Sequence, residues 1–227
     1  MSEVESKRNF QLAFASDVAA GAHPLVLQRL IQDNEGYAAG YGDDHVSFEA
    51  KLVLSKLFQV QKENIYWVPT GTAANVLSLA VMLPTAHSVV ICNEFSHLNT
   101  DEAGAPEKLL GVKIRSVPTA DGKLRVGEEL KALLHDVGVK RRAQPKLLSF
   151  SQTTELGTVY TLEEQNQLCD WAHENGLLVH MDGSRLFNAA AALGVAVGEL
   201  VRKVDVVSLG LTKIGCMEST NFASNET

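Results

Sequence analysis

The chain has 227 residues, of which 45% are hydrophobic and 21% charged, so it is long enough for one large folded domain and too apolar for a disordered segment. Twenty basic residues against 27 acidic ones give a formal net charge of −7. A chain with this balance offers no continuous basic face, which argues against nucleic acids and anionic membranes as partners.

The sequence shows no leader, membrane-spanning or metal-binding pattern. Prolines and a glycine interrupt its longest uncharged stretch, 65–93, and its first residues are acidic rather than apolar, so we expect neither a transmembrane helix nor a secretory signal. Cys92, Cys169 and Cys216 lie too far apart for a Cys-x-x-Cys metal motif or a disulfide framework. We therefore expect a cytoplasmic protein without a metal site.

Two amphipathic helices are predicted in the first part of the chain, over residues 24–32 and 48–58. The loop between them, 36–44, contains three glycines and two alanines together with two tyrosines and two adjacent aspartates. Such a composition is typical of a plain connection. Alternatively, the tyrosines and acids line a functional site or a subunit contact.

From about residue 60 onward, short apolar runs alternate with helical patterns. Strands rich in β-branched residues or leucine are predicted at 88–92, 112–117, 146–150, 177–181 and 204–209. Helices are predicted at 72–82, 127–134, 162–175 and 196–203. Thr161 and Glu164 can form a capping box at the start of the helix 162–175. Because the strands are apolar on both faces, we predict an α/β fold with a mostly parallel sheet and flanking helices.

Candidate ligand-binding residues fall where these strands end. In a parallel α/β sheet, ligands bind at the carboxyl ends of the strands, where helix N-termini also point. Gly71 and Thr72 begin a predicted helix, and small residues there let backbone N–H groups approach an anion, although Gly-Thr is also an ordinary helix start. Asp182 and Arg185 follow the strand 177–181 and can face one ligand, or else form an ordinary ion pair or helix cap.

Lys213 and His97 add a nucleophile and an imidazole to these candidates. Lys213 follows the strand 204–209 between apolar residues and glycines, where partial burial would lower the pKa of its amine. His97 follows the strand 88–92 and is, by itself, an ordinary loop residue. The sequence contains neither a complete Walker loop nor a Gly-x-Gly-x-x-Gly motif. An anion cradle, a carboxylate, an imidazole and a lysine together are the set that a pyridoxal phosphate site requires.

Several motifs extend this pattern over most of the chain. They are Gly71-Thr-Ala-Ala-Asn75, His97 with Asp101-Glu-Ala-Gly-Ala-Pro-Glu107, Glu155-Leu-Gly-Thr-Val-Tyr160, His180-Met-Asp-Gly-Ser-Arg185 and Thr212-Lys213. With these motifs the chain resembles the low-specificity L-threonine aldolases, which are fold-type I pyridoxal phosphate enzymes of the β-eliminating lyase group. The resemblance implies pyridoxal 5'-phosphate as the cofactor, a small amino acid as the substrate and a homo-oligomer, either a dimer or a tetramer.

The same resemblance implies catalytic roles for three side chains. Lys213 would hold the cofactor covalently through its amine. Asp182 would pair with the protonated ring nitrogen of the cofactor, and His97 would stack on the face of the ring. The implied reaction is retro-aldol cleavage of threonine or allo-threonine to glycine and an aldehyde. Alternatives are β-elimination on the same cofactor, or an inactive form that acts only through subunit association.

Binding roles follow from the resemblance for four more residues. Gly71 and Thr72 would bind the cofactor phosphate. Arg185 would contact the cofactor or the substrate carboxylate, and Ser16 would help to hold that carboxylate. At position 154 the chain has Thr154, where relatives often have a histidine, so the base for the substrate hydroxyl is not identified.

The expected domain organisation has three parts. Residues 1–50 would form an N-terminal helical segment with an active-site loop, and residues 51–217 the cofactor-binding large domain. Residues 218–227 are polar, show no strand pattern and are read as a tail outside the family. The small C-terminal domain that the resemblance implies would then be missing.

Overall fold

Seven strands form one sheet in the part of the chain that the structure describes. This computed structural model describes residues 16–83, 85–217 and 220–224. The strands are β1 (Ile65–Val68), β2 (Ser88–Asn93), β3 (Lys113–Val117), β4 (Gln144–Ser151), β5 (Leu178–Asp182), β6 (Val206–Gly210) and β7 (Thr220–Ser224). Their order across the sheet is β1-β7-β6-β5-β4-β2-β3.

The sheet is mostly parallel, which confirms the predicted fold class. Strands β2 to β6 pair with one another in parallel, whereas β7, which lies between β1 and β6, pairs antiparallel with both. The five strands predicted from the sequence all exist, with bounds shifted by at most two residues at each end.

The polar segment after residue 217 forms part of this sheet. The sequence predicts a tail without a strand at 218–227, and this is wrong, because β7 is hydrogen-bonded to a neighbour on each side. Ala223 lies opposite Ile65 on one side and Val207 on the other. Pairing on both sides satisfies the backbone N–H and C=O groups, so the strand forms without an apolar pattern of its own.

Helices pack on both faces of the sheet, although the first of them buries no residue. They are α1 (Pro24–Asp33), α2 (His45–Phe58), α3 (Gly71–Met82), α4 (His97–Thr100), α5 (Ala105–Leu110), α6 (Glu128–Ala132), α7 (Leu162–Glu174), α8 (Leu186–Leu193) and α9 (Val197–Val201). Short 3-10 turns occur at Lys62–Asn64, Leu133–Asp136 and Thr212–Ile214. No helix among the described residues is long and apolar enough to cross a bilayer.

Alternating side chains of the strands supply two separate cores. On one face, Ile91, Phe150 and Met181 pack in a large cluster together with residues of α2, α6, α7, α8 and α9. On the opposite face, Val90 and Leu147 pack in a smaller cluster with residues of α3, α4 and α5. Because neighbouring residues of a strand point to opposite faces, an apolar strand buries side chains in both cores.

Helix α2 spans the expected division between 1–50 and 51–217. This continuous helix begins at His45 and is capped by Asp44, whose side chain accepts a hydrogen bond from Ser47 N. Leu54 and Phe58 of α2 belong to the larger core. The helix therefore connects the two expected segments without a break and packs its last two turns in the larger core.

Candidate active site

A cavity of about 430 Å³ lies at the carboxyl ends of the central strands. Strands β5 and β6 end at its floor, and α3 begins at its edge. Its lining includes six of the residues that matter for chemistry: Gly71, Thr72, Asn75, His97, Asp182 and Lys213. The structure therefore brings together five of the predicted site residues, which are separated by as many as 142 positions in the sequence, and adds Asn75.

The N-terminus of α3 forms one wall of the cavity. Thr70 caps this 12-residue helix, because its hydroxyl accepts a hydrogen bond from Ala73 N at 3.1 Å. A Cβ built on Gly71 would meet no atom within 4 Å, so open space lies next to this backbone. The positive end of a helix dipole facing an accessible cavity is a favourable position for an anion.

Asp182 lies at the end of β5, on the floor of the cavity, and is almost completely buried. The next residue must be glycine, because a Cβ on Gly183 would lie 2.8 Å from the carbonyl oxygen of Ser208 on β6. Gly183 N donates to that same oxygen at 2.7 Å. This close contact fixes the turn after β5 and therefore the direction of the Asp182 side chain.

Hydrogen bonds hold Asp182 in its ionised form. Ser184 N donates to Oδ1 at 2.9 Å, and the amide Nδ2 of Asn75 donates to Oδ2 at 3.3 Å. Burial by itself raises the pKa of the Asp182 carboxyl, but the hydrogen bonds from Ser184 and Asn75 and the charge that His180 carries at acid pH outweigh it, so the pKa lies below its usual value. Asp182 is therefore an anion at neutral pH, suited to pair with a cationic group in the cavity.

His97 lines the cavity with a partly exposed ring. Its Nδ1 atom lies 2.7 Å from Oε1 of Glu102, whose side chain is fully buried. The hydrogen bond to Glu102 raises the pKa of the His97 imidazole above its usual value, although partial burial acts in the opposite direction. The backbone N–H of His97 donates to Oε1 of Glu155 at 3.1 Å, so two carboxylates fix the position of this residue.

Lys213 reaches the cavity from the 3-10 turn that follows β6. The turn ends at Gly215, which has a φ of +84°, a left-handed conformation that favours glycine. The charge of Lys213 acts on both Asp17 and His97. An amine, an ionised aspartate and an imidazole therefore share one cavity.

Arg185 and Ser16 differ from the other predicted site residues, since neither is among the described side chains that line the cavity. Arg185 forms a two-point ion pair with Asp17, in which Nε donates to Oδ2 and Nη2 donates to Oδ1 at 3.2 Å. The Arg185 contacts and the Lys213 charge lower the pKa of Asp17, outweighing the effect of its burial. Val18, the next residue, lines the cavity, so this ion pair lies at its rim.

Thr154 does not take the place of a base in the cavity. Its hydroxyl lies 2.8 Å from the hydroxyl of Thr158 and accepts a hydrogen bond from Thr158 N at 3.2 Å. It is completely buried in the turn between β4 and α7. Its packing next to Gly122, where a Cβ would lie 3.0 Å from its Oγ1, indicates a structural role for this side chain.

Sequence reasoning missed three residues that build the site: Asn75, Glu102 and Ser208. Asn75 and Glu102 lie within motifs that were recognised, but the contacts of Asn75 with Glu102, Asp182 and Ser208 span 27 to 133 positions, so no local pattern indicates them. In the part of the chain that is described, no group of three or more His, Cys, Asp or Glu residues could hold a metal ion.

Comparison with protein families agrees with this fold. Residues 13–220 match the family model of the beta-eliminating lyases. Because this match includes most of the chain, the chain belongs to the beta-eliminating lyase family, and the predicted resemblance to this group is confirmed.

Individual relatives within this family are threonine aldolases. The low specificity L-threonine aldolase of Pseudomonas aeruginosa is 38% identical over 209 residues, which are 89% of this chain and 58% of that protein. A second such aldolase, from a Pseudomonas species, is 37% identical over the same shares. The solved threonine aldolase of Leishmania major superposes with a TM-score of 0.85 at 30% identity, over 92% of this chain and 61% of that one. The chain thus spans about three fifths of the length of these relatives.

Proposed function

We propose that this chain binds pyridoxal 5'-phosphate and belongs to an aldehyde-lyase that cleaves threonine or allo-threonine into glycine and an aldehyde. One observation carries the proposal: the amine of Lys213 and the buried, ionised Asp182 line the same cavity, next to the N-terminus of α3. The names of the relatives supply the substrate class, since the two Pseudomonas proteins are low specificity L-threonine aldolases.

The chemistry of the donor set fits this cofactor. A phosphate fits the helix N-terminus at Gly71 and Thr72, where backbone and hydroxyl donors face open space. A protonated pyridine nitrogen fits the Asp182 carboxylate, whose pKa is held low by hydrogen bonds. An aldehyde fits the amine of Lys213, and the ring of His97 offers a flat surface beside them.

Each side chain then has a definable task. When bound, the cofactor supplies the electron sink that accepts the pair released as the Cα–Cβ bond of the substrate breaks. Asp182 keeps the ring nitrogen protonated, because an anion in a buried site stabilises the adjacent cation strongly. His97, held by its contact with Glu102, orients the cofactor and places its imidazole next to the face of the ring.

Substrate binding is proposed for the rim of the cavity. Arg185 recognises a carboxylate through two parallel hydrogen bonds in its contact with Asp17, which is the geometry that a substrate carboxylate requires. Ser16 lies beside Asp17 and would add a hydroxyl donor. The base that takes the β-hydroxyl proton is sought among the lining residues rather than at Thr154, whose hydroxyl is bonded within its own turn.

Absorbance spectroscopy and product analysis test this proposal. Adding pyridoxal 5'-phosphate to the purified chain should produce a visible absorbance band that survives gel filtration, and the Lys213→Ala variant should lose it. Incubation with threonine should then yield glycine and acetaldehyde. Lys203, which forms an exposed ion pair with Asp170, gives the matched control Lys203→Ala, which should keep the band. A wild-type chain that stays colourless with excess cofactor would contradict the proposal.

Elimination is the second candidate reaction, because the family itself is that of the beta-eliminating lyases. The two reactions differ in their products. Cleavage of threonine releases glycine, whereas elimination from serine releases ammonia and a keto acid. Feeding both substrates to the cofactor-loaded chain and identifying the products would therefore decide between them.

We also propose a homo-oligomer in the cytoplasm. The exposed apolar side chains of α1 support the oligomer: Leu25, Leu30 and Ile31 are 65%, 52% and 74% exposed, and α1 buries no residue. Light scattering of the chain alone should give a multiple of the monomer mass. If the chain acts only by association, it should instead form mixed oligomers with a full-length relative and show no activity alone.

A further inference from the structure

Five polar residues form a continuous hydrogen-bonded chain beneath the cavity. Ser149 on β4, His180 on β5 and Ser208 on β6 lie on the face of the sheet that α3 covers, and each is almost completely buried. The hydroxyl of Ser149 lies 2.9 Å from His180 Nδ1, and His180 Nε2 lies 3.1 Å from Ser208 Oγ. Ser208 then donates to the side-chain oxygen of Asn75, whose amide nitrogen faces Asp182.

The protons of this chain can be assigned by counting donors. Ser208 has one hydroxyl proton, and it is donated to Oδ1 of Asn75. His180 Nε2 must therefore carry a proton and donate it to Ser208 Oγ. Burial lowers the pKa of His180 to about 4, so the ring is neutral at pH 7 and its Nδ1 accepts from Ser149. All the hydrogen bonds of this series then run in one direction, from Ser149 toward Asp182.

At the end of this series of hydrogen bonds, the amide group of Asn75 donates to two carboxylates. With its oxygen occupied by Ser208, Asn75 turns its NH₂ group toward Glu102 Oε1 at 2.8 Å and Asp182 Oδ2 at 3.3 Å. The opposite orientation would place the amide oxygen against two carboxylates and remove this donor from both. The same Oε1 atom of Glu102 also contacts His97 Nδ1.

We propose that Asn75 is a positioning residue that holds Asp182 and the His97–Glu102 pair in one unit, and that Ser208 and His180 fix the amide in the orientation this requires. The inference rests on the proposed function only for the use that the site makes of Asp182 and His97. Without the Asn75 donors, two buried carboxylates would face each other across the space of one side chain. Asp182 would then lose one of the hydrogen bonds that keep its carboxyl ionised.

The decisive measurement is the protonation of Asp182 in the cofactor-free chain. Carboxyl-labelled NMR of Asn75→Ala should show its titration midpoint raised by about one pH unit or more, because a carboxylate that loses a hydrogen bond in a buried site holds its proton more tightly. The titratable side chains around Asp182 are His97, Glu102, His180 and Lys213. None of them is changed in this variant, and neither is Ser184, which also donates to Asp182.

Two controls make this result specific. Ser78→Ala changes a fully buried residue one turn further along α3, whose hydroxyl has no hydrogen-bond partner among the described residues, so the Asp182 midpoint should stay as in the wild type. Asp205, held by Val179 N and His173 elsewhere in the sheet, serves as the reference carboxyl within each protein. An unchanged Asp182 midpoint in folded Asn75→Ala would overturn the proposal.

A second variant covers the case in which Asn75→Ala does not fold. In the wild type the two Nδ2 protons of Asn75 should exchange with solvent slowly, and in Ser208→Ala at least about tenfold faster, because the amide loses the bond that orients it. Equal exchange rates in the two proteins would overturn the proposal. These measurements need neither cofactor nor activity, so they stand even if the chain does not cleave threonine.

Discussion

The floor of the cavity and helix α1 differ in which side chains they bury. At the floor, Asp182, Asn75 and Ser208 are polar, almost completely buried, and joined by hydrogen bonds. In α1, apolar residues such as Leu25 and Ile31 are exposed, and no residue of the helix is buried. The first region depends on contacts that this chain makes with itself, whereas α1 gains almost nothing from the rest of the described chain.

The two regions depend on different stabilising interactions. Buried polar groups are costly unless each has a partner, so the floor is specified by many long-range contacts that must form together. A helix of 10 residues is marginal when isolated, because the cost of starting it is recovered only by packing its apolar face. The floor is thus ordered by contacts within the folded chain, whereas the described residues leave the apolar face of α1 exposed.

The largest difference between the two regions is expected on truncating apolar side chains. Phe150 is completely buried and packs edge-on against Tyr160 with ring centroids 5.3 Å apart, so Phe150→Ala should cost about 3–5 kcal/mol of unfolding free energy. Ile31→Ala in α1 should cost less than about 0.5 kcal/mol in the monomer, because the side chain is exposed. Urea unfolding at low protein concentration measures both, and equal losses would contradict the contrast.

A smaller effect is expected at the glycine that sets the direction of Asp182. Gly183→Ala would place a methyl group 2.8 Å from the Ser208 carbonyl oxygen, within the backbone of a central strand, and should cost about 1–3 kcal/mol. Gly40→Ala, in the loop after α1, is the matched control, since no atom lies within 4 Å of its added Cβ. Thermal unfolding should shift for Gly183→Ala alone, and the variant should also bind pyridoxal 5'-phosphate more weakly.

Much of the fold could be predicted because the central strands are locally apolar. Runs such as 88–92 and 177–181 are apolar at almost every position, and a strand buried on both faces needs no more than that. Strand β7 could not be predicted in this way. Its sequence, Thr-Asn-Phe-Ala-Ser, has no strand pattern, and its place in the sheet comes from the two neighbours that it pairs with.

In the candidate site too, some residues could be predicted from local sequence and others could not. Asp182, Lys213 and Gly71 could be predicted because each directly follows a strand or begins a helix, and the sheet brings such positions to one edge. The partners that tune them could not. Glu102 meets Asn75 across 27 positions, and Ser208 meets Asn75 across 133, so only the folded structure shows that they touch.

Helix α7 tests a contact that was predictable from local sequence alone. Thr161 Oγ1 accepts from Glu164 N at 3.1 Å, and the Glu164 carboxylate accepts from Thr161 N at 2.8 Å, which together form the expected capping box. Thr161→Ala should cost about 1 kcal/mol, whereas Thr161→Ser should retain most of the stability. Chemical denaturation checks both variants, and an equal loss in the two would show that the hydroxyl is not what caps the helix.

The smallest expected effect is a pH dependence at the cavity wall. Glu102 raises the pKa of His97 in the folded chain above the value of about 6.5 that it has when unfolded. The resulting stabilisation is fully present below the unfolded pKa and is lost as the pH rises through the higher folded pKa. Glu102→Gln keeps the shape of the side chain but removes its charge, so His97 should titrate at lower pH in NMR and the gain in stability on the acid side should shrink.

Glu128→Gln is the control for this last measurement, because Glu128 is exposed on α6 and lies in a different part of the sequence and fold. Its pH profile should match that of the wild type. If Glu102→Gln also matched the wild type, His97 would not depend on the buried carboxylate for its protonation. In that case the protonation of a side chain in the cavity wall would not depend on a buried partner. The difference from α1 would then be limited to the floor of the cavity.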